Sequence, residues 1–292
     1  MAPITRYGRS LSLFQNRVST RIHRSTRWVR DRRRVRLAAP PATNVEVLDV
    51  GHGVVEIRLS AGERRNVLGR STIAAIEETI ANPAVNTRVF VITAEPPDFC
   101  AGYDFVEASR GEPVELIAHE SNFVVLRESR IPIIVALQGN VIGGGLELAL
   151  SADIRIASPE VRFAVPASKI GLVYSESGIR LVVDVMGQSL ARAMFLGGMA
   201  LEGEAAVAAG VISEMVGREQ LRERALSLAT EMASWSEVAS SGNRQILDLV
   251  AGRVAVDANE LHAQSFARDG QLLRTIHDFV TRRTTKLKPF SG

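Results

Sequence analysis

The sequence predicts an α/β fold, on three observations. Segments of strand character recur roughly every 20–40 residues. Helical segments stand between them, as crossover connections require. A glycine triplet joins one buried strand to the start of a helix. Taken in order, Val45 to Val50 alternates apolar and polar residues, the period of a half-buried strand. Gly51-His52-Gly53 makes a turn and Val54 to Leu59 a second strand, so the pair reads as a hairpin. From Ser71 to Ile80, the residues Ile73, Ile76 and Ile80 fall at helical spacing, with Ser71 as N-cap. Arg88 to Thr93 is a strand, and about 113–129 reads as helix. Ile131 to Leu137 is a strand, Gly145 to Ser151 a helix, and Asp153 to Ala157 another strand. From about Ser177 onward the pattern is helical throughout, broken at Gly187, Gly197-Gly198, Gly210 and Gly217. There is no internal repeat.

Composition fits a globular body. The chain has 292 residues, 46% of them hydrophobic and 23% charged, enough for a sizeable core. A single cysteine, Cys100, excludes an intrachain disulfide framework and suits a reducing compartment. The longest mostly apolar stretch, Ile131 to Ala152, carries Pro132, Gln138, Asn140 and Glu147, which makes it a poor membrane span.

Charge is unevenly spread. Residues 1–39 hold eleven arginines against one acid, Asp31, a net charge of +10. That leaves −7 for the rest of a chain whose total is +3. Ala38-Ala39-Pro40-Pro41-Ala42 then reads as a linker, because paired prolines cannot continue a helix. The segment 1–42 is therefore expected to be a basic, disordered tail and linker, with the folded part starting near Asn44. An Arg- and Ser-rich, acid-poor tail admits three readings: an upstream extension, a mitochondrial transit peptide, or an arm that touches nucleic acid. The expected location is cytoplasmic on the first and the mitochondrial matrix on the second.

Two strand-to-helix junctions carry the chemistry. In Asn140-Val141-Ile142-Gly143-Gly144-Gly145-Leu146-Glu147 the glycines permit close approach to the backbone. The first N–H groups of a helix lack internal partners and bear partial positive charge, so they suit an oxyanion. Tight strand–helix packing explains glycines equally well. A dinucleotide fingerprint fails, because Leu148 stands where a small residue is needed. The second junction is Phe99-Cys100-Ala101-Gly102-Tyr103-Asp104, with Asp104 able to cap the helix that follows. Two such junctions in one domain can aim two N–H groups at one carbonyl oxygen.

The pair Ala-Gly-x-Asp and Gly-Gly-Gly-x-Glu, about 40 residues apart, resembles the crotonase, or enoyl-CoA hydratase/isomerase, superfamily. Asn66-Val67-Leu68, the strand Ser151 to Ala157, and the stretches Gly187 to Ala193 and Ala205 to Val211 resemble further elements in the right order. The resemblance covers about 45–290. It implies a spiral of ββα units over 43–235 and a helical region over 236–292 that closes the pocket or makes a trimer contact. It implies an acyl-CoA substrate, as in fatty acid metabolism, and a homotrimer or homohexamer. No separate cofactor and no metal are expected, CoA being part of the substrate. By resemblance, the N–H groups of Tyr103 and Gly144 form an oxyanion hole and Glu147 is an acid/base. Ala101, Gly102, Asp104, Gly143 and Gly145 would shape the thioester site. Arg64, with Arg65 beside it, sits where the family approaches CoA phosphates.

The sequence also departs from the family. Hydratases carry a second glutamate where this chain has Ala167, in Phe163-Ala164-Val165-Pro166-Ala167. Syn hydration normally places two carboxylates on one water, whereas a 1,3-proton shift can use one base. Hydration and double-bond isomerisation therefore both stay open. Glu176 lies near the point where dienoyl-CoA isomerases place an extra acid. A non-catalytic acyl-CoA-binding member and an RNA-binding member, the latter through its tail, are the alternatives. Other chemistries find no motif. His119-Glu120 lacks the second histidine of a zinc helix, Phe123 standing there, and no Gly-x-Ser-x-Gly elbow occurs.

Overall fold

The computed structural model describes residues 44–110, 123–266 and 271–286. The basic tail and the first part of the helix expected over 113–129 lie outside them. The hairpin forms as read: β1 (Val45–Gly51) pairs antiparallel with β2 (Val54–Leu59). Helix α1 (Arg70–Ala81) follows, then β3 (Val89–Ala94) and the one-turn helix α2 (Phe105–Ala108). Beyond the short α3 (Val124–Glu128) come β4 (Ile133–Leu137), β5 (Asn140–Ile142), α4 (Gly144–Leu150), β6 (Ile154–Ala157) and β7 (Arg162–Ala164).

Two sheets organise these strands. The larger runs β1-β2-β3-β4-β6-β9, parallel from β2 onward, where β9 is Glu214–Met215. The smaller runs β5-β7-β8, with β8 at Ala200–Glu202. Successive passes of the chain give one strand to each sheet: β4 then β5, β6 then β7. Single bridges between Leu68 and Tyr103 and between Cys100 and Val141 extend the smaller sheet to the two preceding passes. This is the spiral of strand–strand–helix units that the resemblance implies.

Strand period sorts the core. Phe90, Ile92, Ile133, Val135 and Leu137 face Ile73 and Ile76 of α1 and the apolar residues of α4. The alternate residues Val89, Val91, Ile134 and Ala136 face the other way, onto Leu221, Ala225 and Ala229 of α8 (Leu221–Ala233). Near-continuous apolar strands are what a parallel sheet covered on both faces needs. Glu56 of β2 puts a charge inside: it is fully buried and accepts from Thr93 and from Arg222 of α8, at 2.7 and 2.8 Å.

Some elements depart from expectation. The helix read as starting at Ser71 begins one residue earlier, and its N-cap is Gly69, with no side-chain cap. The N–H of Arg70 instead donates to the carboxylate of Glu107, at 3.3 Å, which satisfies a first-turn donor from across the fold. The region after Ser177 is not helical throughout. After α5 (Ala167–Ile170) come α6 (Glu176–Gly197), α7 (Gly203–Ala208), α8, α9 (Glu237–Val250), α10 (Ala258–Gln264) and α11 (Gln271–Lys286), with β8 and β9 among them. Gly187 sits in α6 with φ 79° and ψ 160°, which breaks the helix into two. Among the described residues no helix is long and apolar enough to cross a membrane.

Candidate active site

The site grows from the two junctions singled out above. In strand geometry, backbone groups of successive residues point to alternate sides. Cys100 bonds to the β5 side: its N–H donates to Asn140 O and its C=O accepts from Ile142 N, both at 3.0 Å. Two and four residues on, the C=O of Gly102 accepts from Leu68 N (2.8 Å) and the N–H of Asp104 donates to Leu68 O (2.9 Å). The backbone N–H of Tyr103 between them is thereby turned to the side that carries β5 and the start of α4. The two segments run close: a methyl built on Gly102, whose φ is 100°, would stand 3.0 Å from Ile142 O and 3.9 Å from Gly144 N.

Each glycine of the triplet has its own reason. Gly143 adopts φ 53° and ψ −115°, a conformation for glycine alone, and donates its N–H to Ala164 O at 3.0 Å. That turn lets α4 begin at Gly144. A Cβ on Gly145 would meet Cys100 Cβ at 2.6 Å, and one on Gly144 would meet Tyr103 Cζ at 2.7 Å. Tight packing thus accounts for Gly145, while Gly144 is bare because the Tyr103 phenol lies on it.

Asp104 caps α2, its Oδ1 accepting from the N–H groups of Val106 and Glu107 at 3.0 and 3.2 Å. Its other oxygen accepts from Arg64 at 2.6 Å. Arg64 therefore braces the junction, whereas Arg65, 63% exposed, pairs with buried Asp98. Ala101 donates its N–H to Arg65 O at 2.9 Å, which ties the same loop down.

Glu147 occupies the first turn of α4, facing inward and only 7% exposed. Its Oε1 accepts from the Tyr103 hydroxyl at 3.2 Å and from the Tyr174 hydroxyl in a shorter contact. Burial raises the Glu147 carboxyl above its ordinary value of 4.5, and it outweighs the lowering by the two phenols and the nearby Arg127 charge. Tyr174 is pushed well above the phenol range by burial and by the Glu147 charge. Its ring meets Phe195 edge-on, with centroids 5.1 Å apart. Arg127 of α3 donates to Ser151 Oγ at 3.1 Å. Two of the chain's three tyrosines thus converge on one carboxylate.

Sequence reasoning brought together Tyr103, Gly144 and Glu147, and the structure clusters all three. It missed Tyr174, looking two residues further to Glu176. Glu176 is placed elsewhere: its carboxylate is 81% exposed and bonded to Arg180 one helical turn on, at 2.7 Å. Ala167 is buried at the start of α5. Among the described residues, the groups acting on the Glu147 carboxylate are two phenols and one guanidinium, with no second acid. A hollow of about 740 Å³ between the hairpin and α1 is lined by none of these residues. Among the described residues no group of three or more metal-ligating side chains is placed to hold an ion.

Known proteins match this arrangement over most of its length. The family model for enoyl-CoA hydratase/isomerase matches residues 49–285. The Mycobacterium leprae protein assigned as enoyl-CoA hydratase echA6 is 34% identical over 170 residues, 56% of this chain and 68% of its own. The 2,3-dehydroadipyl-CoA hydratase of Escherichia coli is 28% identical over 198 residues, 66% of this chain and 78% of its own. A solved Mycobacterium abscessus structure assigned as an enoyl-CoA hydratase/isomerase superposes with a TM-score of 0.73 at 27% identity, covering 82% of this chain and 96% of its own. The chain belongs to the enoyl-CoA hydratase/isomerase family and has its crotonase fold.

Proposed function

We propose that the chain takes an acyl-CoA thioester and moves a proton on its acyl group through an enolate. The N–H groups of Tyr103 and Gly144 hold the thioester oxygen, and Glu147 is the base. One observation carries this reading: a buried carboxylate of raised pKa in the first turn of the very helix whose N-terminus faces the Tyr103 junction. Burial that favours the neutral acid brings a carboxylate closer to working pH, which suits it to take a proton and give it back. The helix N-terminus and the turned Tyr103 N–H are preorganised donors for the charge that develops on oxygen. The family and the name of the Escherichia coli relative support an acyl-CoA substrate. Arg65, more exposed than Arg64, is the better placed of the two to meet a CoA phosphate. The test is a panel of enoyl-CoA esters incubated with wild type and Glu147→Gln, with products read by mass spectrometry.

Within this reading, double-bond isomerisation is favoured over hydration. With Ala167 buried at the start of α5, the site holds one carboxylate among the described residues. Wild type is expected to hydrate a short 2-enoyl-CoA weakly and to isomerise a 3-enoyl- or dienoyl-CoA better. Ala167→Glu is expected to raise hydration. Hydration as fast as isomerisation in wild type, with no gain in Ala167→Glu, would contradict the one-carboxylate argument.

A further inference from the structure

The Tyr103 side chain is unexplained by an oxyanion hole, which needs only its backbone. The ring is 7% exposed. Its hydroxyl end lies over Gly144, where a Cβ would be 2.7–2.8 Å from Cζ, Cε1 and Cε2. Its Oη donates to Glu147 Oε1 at 3.2 Å. One residue thus places a backbone donor beside the α4 N-terminus and a hydroxyl on the catalytic carboxylate. A proton shift through an enolate needs two transfers at two carbons. One carboxylate serves both only if it reaches both.

We propose that Tyr103 is the second proton-carrying residue of this site, its phenol delivering a proton to the acyl chain at C4. The inference rests on the enolate reading above. In the isomerase direction, Glu147 removes a proton from C2 of a 3-enoyl thioester, and the C–H electron pair passes to the thioester oxygen. The dienolate then collapses. Its electrons return, a C4–H bond forms with the Tyr103 hydroxyl proton, and the double bond moves to C2–C3. The Glu147 proton passes along the existing hydrogen bond to the Tyr103 oxygen, so both groups regain their starting states. No oxidant, reductant or further reactant enters. Tyr174, whose hydroxyl reaches the same carboxylate oxygen while its ring rests on Phe195, is a positioning residue that fixes the Glu147 rotamer.

The relay separates the two transfers, and so does its test. In deuterium oxide, exchange at C2 reports the first transfer, and isomer formation reports both. Tyr103→Phe keeps the ring on Gly144 and removes only the hydroxyl. It is expected to retain C2 exchange while isomer formation falls about 10²-fold, at a KM within about twofold of wild type. Glu147→Gln should lose both. Tyr174→Phe should lower both together. Circular dichroism and Tm of each variant report on folding. Equal loss of exchange and product in folded Tyr103→Phe would make Tyr103 another positioning residue and overturn the relay. Unimpaired isomerisation in that variant would overturn it too. Wild-type protein that neither exchanges nor converts any thioester would instead overturn the enolate reading, and the relay with it.

Discussion

At the scale of single residues, Glu147, the proposed base, also carries a local cost in stability. Its carboxyl is neutralised more readily in the folded protein than outside it, because burial raises its pKa. The native state therefore binds the proton to higher pH than the unfolded state does. Stability contributed by this group falls as pH rises from the ordinary value of 4.5 through the raised one. Glu147→Gln, neutral at every pH, should thus be at least as stable as wild type at neutral pH, with the advantage shrinking in acid. Thermal melts of both proteins across pH check this. A variant clearly less stable at neutral pH would show that the two phenol contacts outweigh burial. For activity the sign is opposite in form: a base must be ionised. kcat/KM should therefore fall as pH drops, with its inflection above 4.5.

At the scale of elements, the Ala-Gly-x-Asp junction is held by its last residue. Asp104 caps α2 through one oxygen and binds Arg64 through the other. Asp104→Ala should cost about 1–2 kcal/mol in urea unfolding, as lost N-caps do. Asp104→Asn keeps the cap and should cost less than half as much, although it gives up the charge pair. Equal losses in the two variants would place the stabilisation in the Arg64 pair instead. Both should slow turnover, since the same loop carries Tyr103. Elements of this kind were largely legible in the sequence. The alternation of Val45 to Val50 and the isoleucines of α1 are periodic enough to read, and the glycine triplet marks a junction by itself. β8 and β9 were not legible, being three and two residues long, too short to show a period. The α1 cap was misread because its partner, Glu107, lies 37 residues away, and only the fold brings it near. Tyr174 was missed for the same reason: nothing local tells a loop phenol from one that crosses to a carboxylate 27 residues back.

At the scale of the whole molecule, the charge division and the C-terminal helices make separate predictions. Deleting residues 1–39, which hold the +10 of the chain, should leave Tm and acyl-CoA turnover unchanged. A large fall in Tm would mean that the tail packs on the body. Salt-sensitive RNA binding lost with the tail would favour the nucleic-acid alternative. On the body, Leu247 and Val250 of α9 and Ile276 of α11 are exposed, in the region proposed to make a trimer contact. Sedimentation should give a trimer or hexamer, and Leu247→Asp should shift it toward monomer. A monomeric wild type would remove that role from 236–292.

The central claim is that Glu147 moves the proton of a thioester enolate, and turnover of the best enoyl-CoA substrate by wild type and Glu147→Gln tests it most directly. The variant should fold, bind the substrate with similar KM, and lose about 10²–10⁴-fold in kcat. A folded Glu147→Gln protein with wild-type kcat would contradict the claim.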